Sequence, residues 1–86
     1  RNMQLTVLSP VKEIYSGEAK SVSLPGLDGS FQLLDNHAPI VAALGSGRIK
    51  VESTSGETLH FDIVNGFVEM LNNKTSLLVE ERSEEN

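Results

Sequence analysis

Apolar residues in this chain recur at every second position, and turn residues cut the runs roughly every 8–12 positions. Leu5 and Val7 alternate with Gln4, Thr6 and Leu8. Val22 and Leu24 alternate with Ser21 and Ser23, and Ile49 and Val51 with Arg48, Lys50 and Glu52. Leu59, Phe61 and Ile63 alternate with Thr58, His60 and Asp62. Leu77 and Val79 alternate with Ser76, Leu78 and Glu80. A period of two puts one apolar face and one wet face on an extended strand. Between the runs stand Ser9-Pro10, Pro25-Gly26-Leu27-Asp28-Gly29, Gly45-Ser46-Gly47, Ser55-Gly56 and Asn72-Asn73-Lys74, all rich in turn formers. Asn65-Gly66 falls inside a long strand pair and reads as a bend or bulge. The expectation is an all-β fold: an antiparallel β-sandwich of about eight to ten short strands.

At 86 residues the chain has room for one small core and not for two. The domain is expected over residues 3–80, with an acidic, disordered tail over 81–86. Met3 reads as a natural start, with Arg1 and Asn2 foreign to it. The chain has no Cys, which excludes disulfides, thiolate metal sites and a cysteine nucleophile. The net charge is −5, and the last seven residues, Glu80 to Asn86, account for −3 of it. Lys12, Lys20, Arg48, Lys50 and Lys74 are scattered, so no basic cluster displaces counterions from nucleic acid. The longest apolar run, Ala38 to Leu44, holds a proline and is far short of the roughly 20 residues that a membrane-spanning helix needs. Direct membrane insertion is not expected.

Tests for chemistry return little. Ser, His and Asp residues are present, but no Gly-x-Ser-x-Gly elbow arranges them. No phosphate-binding glycine loop occurs. Two His residues alone do not close a metal site. Lys74, a few residues beyond Met70, is a faint echo of the modified lysine in β-sandwich carrier domains. Asn73-Lys74-Thr75 fits a glycosylation sequon and reads as a polar turn. Neither catalytic residues nor a cofactor is expected.

The unusual stretch is Pro25 to Ile40. A glycine-rich turn leads into the short apolar run Phe31 to Leu34. A polar knot follows, Asp35-Asn36-His37, and Ala38-Pro39 forbids a helix. Such a segment is either a self-capped loop or a rigid polar surface for a partner.

Four groups of residues carry a family resemblance. They are Leu5 to Pro10 with Ile14 to Glu18; Pro25 to Phe31 with Leu34 and His37-Ala38-Pro39; Leu44 to Val51; and Asn65 to Met70. Together they resemble the N-terminal β-sandwich of the ε subunit of the rotary ATP synthase, whose mitochondrial counterpart is called δ. The resemblance covers Met3 to about Glu80. It departs from the family pattern at Ser30, where an acid is common, at Gln32 for Gly, at Asp35-Asn36 for Pro-Gly, and at Asn65 for Gly. The helical hairpin that usually follows is not expected here, and with it goes the ATP site which that hairpin makes.

This resemblance implies a non-catalytic central-stalk subunit of the proton-transporting complex, coupling the γ subunit to the c-ring. It implies a peripheral place on the bacterial cytoplasmic face of the plasma membrane. The partner-binding residues it implies are Asp28, Gly29, Ser30, Phe31, Asp35, Asn36 and His37, with Ser30 toward the ring loops and His37 at the γ boundary. The run Ile40 to Leu44 is read as core strand ahead of a shared γ interface. An unrelated β-sandwich carrier or adaptor module is the alternative.

Overall fold

The computed structural model describes residues 2–82. Seven strands follow in order: β1 (Met3–Leu8), β2 (Glu13–Gly26), β3 (Gly29–Leu34), β4 (Ile40–Leu44), β5 (Gly47–Ser53), β6 (Thr58–Leu71) and β7 (Lys74–Glu81). No helix interrupts them. Every alternating run in the sequence lies in a strand. The strand number is below the expected eight to ten because β2 and β6 are 14 residues long and each serves twice.

The pairing pattern shows how. The first part of β2 pairs with β1, and its second part pairs with β3 and β5. The first part of β6 pairs with β5, and its second part lies between β4 and β7. One layer therefore holds β4, the end of β6, β7, β1 and the start of β2. The other holds the start of β6, β5, the end of β2 and β3. Following β1, β7, β6, β5 and β2 returns to β1, so hydrogen bonding closes on itself along this path. The edge left over belongs to β3, while β4 lies between β6 and the end of β2, which it meets at the single pair Gly26–Leu44. One pairing departs from the antiparallel rule: β1 and β7 run parallel. No hairpin links them, so nothing local imposes an antiparallel sense, and the rest of the domain supplies the long crossover.

Both long strands carry a register shift at the corner between layers, at Ala19–Ser21 in β2 and at Ile63–Asn65 in β6. A bulge adds one residue, bends the strand and moves the inward set by one. In β2 the buried positions pass from Ala19 to Val22 and Leu24. In β6 they pass from Ile63 to Gly66, Val68 and Met70. The bend read from Asn65-Gly66 sits at this place. Met3, Leu5, Val22, Leu24, Leu33, Ile49, Ile63 and Leu77 fill the space between the layers, each at most 1% exposed. Burial of one such side chain contributes about 1.5–3 kcal/mol.

Pro25 is tolerated inside β2 for a geometric reason. The Leu27–Asp28 turn makes Gly26 and Gly29 the first cross-strand pair, so Pro25 opposite Ser30 falls on the pair without mutual hydrogen bonds. Its carbonyl points the other way and accepts from Gly45 N–H at 2.7 Å. Gly66 is required by close approach: a Cβ there would stand 2.7 Å from the Leu78 carbonyl oxygen and 3.0 Å from Val79 Cγ1. Residues at the expected tail divide: Glu81 ends β7, Arg82 N–H donates to the Asp62 carbonyl at 3.0 Å, and residues 83–86 lie outside the described chain, as does Arg1.

The Gly66 contact generates a stability prediction. Gly66→Ala forces β6 and β7 apart at the corner and is expected to cost about 1–3 kcal/mol. Urea unfolding followed by circular dichroism measures it, and an unchanged midpoint would show that the corner has slack.

Candidate functional site

The residues expected to bind a partner do not form one loop. Gly29–Leu34 is strand β3, and its length of five steps separates the two ends by roughly 17 Å. Asp28, Gly29 and Ser30 stand at one end, in the β2–β3 hairpin, all exposed. Gly29 takes φ 125°, a value that closes the two-residue turn and that an L side chain rarely adopts. Phe31 turns inward and packs on the core as a half-buried side chain. Asp35, Asn36 and His37 stand at the other end. His37 N–H donates to the Leu34 carbonyl at 3.1 Å, closing a turn in which Asn36 has φ 63°. His37 Nδ1 lies 2.8 Å from the Ala38 carbonyl oxygen, an acceptor that fixes the ring proton on Nδ1. The structure thus presents two polar sites, one at each end of β3.

A further surface escaped the sequence reading. On the outer face of the β1–β7–β6–β4 layer, Leu8 stands opposite Leu78, Leu78 opposite Phe67, and Phe67 opposite Ala43. Leu27 N–H donates to the Ala43 carbonyl at 3.3 Å and extends the row. Phe67 is 60% exposed, Leu78 56% and Leu27 69%. A shallow depression runs along part of it, lined by Leu8, Pro10, Phe67 and Leu78. Beside Phe67 in the next register stands Glu69, with Val41 opposite it at 74% exposure. On the other side Asn65 Nδ2–H donates to Glu80 Oε1 at 3.1 Å. The result is an apolar stripe across four strands, bordered by carboxylates. The signal was present in the sequence: Leu8 and Leu78 occupy the wet phase of their strands. Within β4, Ile40 and Ala42 pack on the core while Val41 faces out, so the run from Ile40 to Leu44 divides between core and surface.

Elsewhere an open cleft lies between Lys12, Arg48, His60, Asp62, Glu81 and Arg82. Two ion pairs lie along it. Arg48 Nε–H donates to Asp62 Oδ1 at 3.0 Å across the β5–β6 register. Lys12 Nζ lies 3.8 Å from Glu81 Oε1, and Arg82 Nη2–H donates to Ser46 Oγ. The hydrogen bond from Arg48 holds the Asp62 carboxyl below its ordinary value and is the main cause that raises Arg48 in turn. Among the described residues no set of three His, Asp or Glu side chains converges in metal-binding geometry. Lys74 is the first residue of β7, paired with Leu71 behind the Asn72–Asn73 turn, and so does not occupy the hairpin tip as a carrier lysine would.

The comparison with known proteins decides the family. The family model "ATP synthase, Delta/Epsilon chain, beta-sandwich domain" matches residues 2–84. This chain belongs to that family. The ATP synthase epsilon chain of Chlorobium limicola is 42% identical over 80 residues, which cover 93% of this chain and 91% of the relative. The epsilon chain of Leptospira borgpetersenii is 39% identical over 79 residues, covering 91% of this chain and 61% of the relative. Among solved structures, a chain of the Euglena gracilis mitochondrial ATP synthase assembly of OSCP, F1 and c-ring has a TM-score of 0.87 at 20% identity, covering 93% of this chain and 51% of that one. A chain of the central stalk and c-ring of the Tetrahymena thermophila mitochondrial enzyme has a TM-score of 0.77 at 17% identity, covering 94% and 65%. These likenesses confirm the sandwich fold. Delta/epsilon chains are non-catalytic, peripheral parts of the synthase. No helix among the described residues is long and apolar enough to cross a membrane.

The Arg48–Asp62 pair generates a pH prediction. The folded pKa of Asp62 is depressed, so its contribution to stability is present above the unfolded value of about 3.9 and is lost as pH falls through the folded value. Both groups are exposed, so the effect is small. Urea midpoints of the unaltered chain and Asp62→Asn are expected to differ slightly near neutrality and to converge in acid. A difference that stays constant down to about pH 2 would contradict the pairing.

Proposed function

We propose that this delta/epsilon chain is a rotor subunit of the central stalk, joining the γ subunit to the c-ring on the cytoplasmic face of a bacterial membrane. The observation that carries this reading is the apolar stripe Leu8–Leu78–Phe67–Ala43–Leu27 on a closed sandwich. Exposed apolar rows of this extent mark interaction surfaces. Carboxylates at Glu69 and Glu80 border it, and so its partner presents an apolar patch with basic residues at the rim. We assign this stripe to γ.

The two ends of β3 then have separate tasks. The exposed hairpin Asp28-Gly29-Ser30 is polar and short, suited to the polar loops of a ring. Asp35-Asn36-His37, at the opposite end, lies toward γ. Torque passes between them through a packed interior of low compressibility. Such a coupler needs no reactive group, and this reading assigns none. The carrier or adaptor alternative has no comparable support, since Lys74 is paired within a strand.

The test uses a catalytic head of α, β and γ subunits without its own epsilon chain. The chain is expected to co-elute with it in size-exclusion chromatography and to leave ATP hydrolysis largely uninhibited. The double variant Phe67→Ser with Leu78→Ser removes two central contacts and is expected to weaken binding at least about thirtyfold. Its stability should move little, because both side chains are exposed. Failure of the unaltered chain to bind at micromolar concentration would overturn the rotor reading. Binding by the double variant at full affinity would move γ off the stripe.

A further inference from the structure

At the end of the molecule where β3 stops, three distant segments meet on one side chain. Asn73, in the turn between β6 and β7, accepts at Oδ1 from Asn36 N–H at 2.7 Å. Its Nδ2 group donates to Asp35 Oδ1 at 2.7 Å and to the Asn2 carbonyl at 3.3 Å. Its own carbonyl accepts from Gln4 N–H at 3.1 Å. Both amide donors are therefore used. The contacts span 37 or more positions in sequence and tie the β3 end of one layer to the β1 and β7 strands of the other.

The turn that Asn73 grips has little else to hold it. Past Leu34, the one backbone hydrogen bond of the turn is His37 N–H to the Leu34 carbonyl. β3 pairs with β2 alone, so its outer edge offers no neighbour. Asn36 sits at φ 63° and Asn73 at φ 61°, conformations that Asn tolerates but does not require. The short, paired bonds to Asn36 N–H and Asp35 Oδ1 select this geometry. A neutral amide also satisfies the Asp35 carboxylate without cancelling its charge, and among the described residues Asp35 makes no ion pair.

We infer that Asn73 is the positioning residue of the Asp35–Asn36–His37 turn. It fixes how the turn meets the stalk partner without belonging to the turn itself. This rests on the reading that the chain binds γ and that the turn takes part.

Three variants test it. Asn73→Gly keeps a residue at ease with positive φ and deletes only the amide. Asn73→Asp keeps the acceptor for Asn36 but sets a carboxylate against Asp35. Combining Asn73→Asp with Asp35→Asn restores one donor and one acceptor with the roles exchanged and the net charge unchanged. The first readout is hydrogen exchange of the Asn36 amide, which needs no partner. It is expected to speed up about tenfold in Asn73→Gly and Asn73→Asp, and to return to within about twofold in the combined variant. The second readout is affinity for the head of α, β and γ subunits, expected to fall and recover in parallel. Unchanged Asn36 exchange in Asn73→Gly overturns the inference. So does faster exchange with unaltered affinity, or a combined variant that restores neither. If the unaltered chain does not bind the head, the rotor reading itself has failed and the positioning role falls with it. Thermal unfolding of each variant separates these outcomes from loss of the fold.

Discussion

A strand that serves both layers of a sandwich has to turn a corner while keeping its apolar side chains inside. With a side-chain period of two, one residue too many or too few sends the whole inward set to solvent. β2 and β6 meet this constraint with one bulge each, and the rest of the structure follows from it. The bulges let β5 pair with the later part of β2 and the earlier part of β6. That places Ile49 and Val51 in one buried cluster with Leu5, Val7 and Leu77. They also close the path of hydrogen bonds through β1 and β7, the two strands that no hairpin joins.

Closure leaves few ways for the domain to deform. A strand in the interior of the ring is paired on both sides, so any shear must break a ladder. The open region lies beside β3, and there isolated hydrogen bonds stand in for a continuous ladder, backbone to backbone at one end and through a side chain at the other. Leu27 and Gly45 clip the β2–β3 hairpin to the end of β4. Asn73 holds the opposite end. The surfaces assigned to partners thus sit on a frame that is stiff in its middle and pinned at both ends of its weakest strand. Mechanical coupling needs that combination: rigidity between contacts, with no mobile group to dissipate a rotation.

The polar and apolar surfaces divide along the same lines. The outward face of the β5 side is polar, with Arg48 paired to Asp62 and Lys50 opposite His60. Such polar groups keep that face wet. The outward face of the β1–β7–β6–β4 side carries an uninterrupted apolar row. Phe67 is in its centre, where desolvation on binding is greatest.

Much of this was legible in the sequence. Alternation marked β1, β2, β5, β6 and β7, because one wet face and one dry face leave a period of two that no helix imitates, while β3 and β4 showed only as short apolar runs. Asn65-Gly66 announced the corner in β6, since only a bulge has use for that pair within a strand. The motifs from Leu5 to Met70 pointed to the right family. What the sequence did not reveal depends on pairing. The bulge at Lys20 has no turn residue to mark it, and it appears only once β5 lies against β2. Leu8, Ala43, Phe67 and Leu78 are 11 or more residues apart in sequence, and only the register across three strand pairs turns them into one stripe. The segment from Asp28 to His37 reads as one polar region along the chain, yet a strand is rigid and extended, so folding sent its ends apart. Asn73 reads as a turn residue, because the groups it holds are brought to it by the layers. Local patterning is a property of neighbours along the chain and survives in the sequence; contact between distant segments is created by the tertiary structure alone.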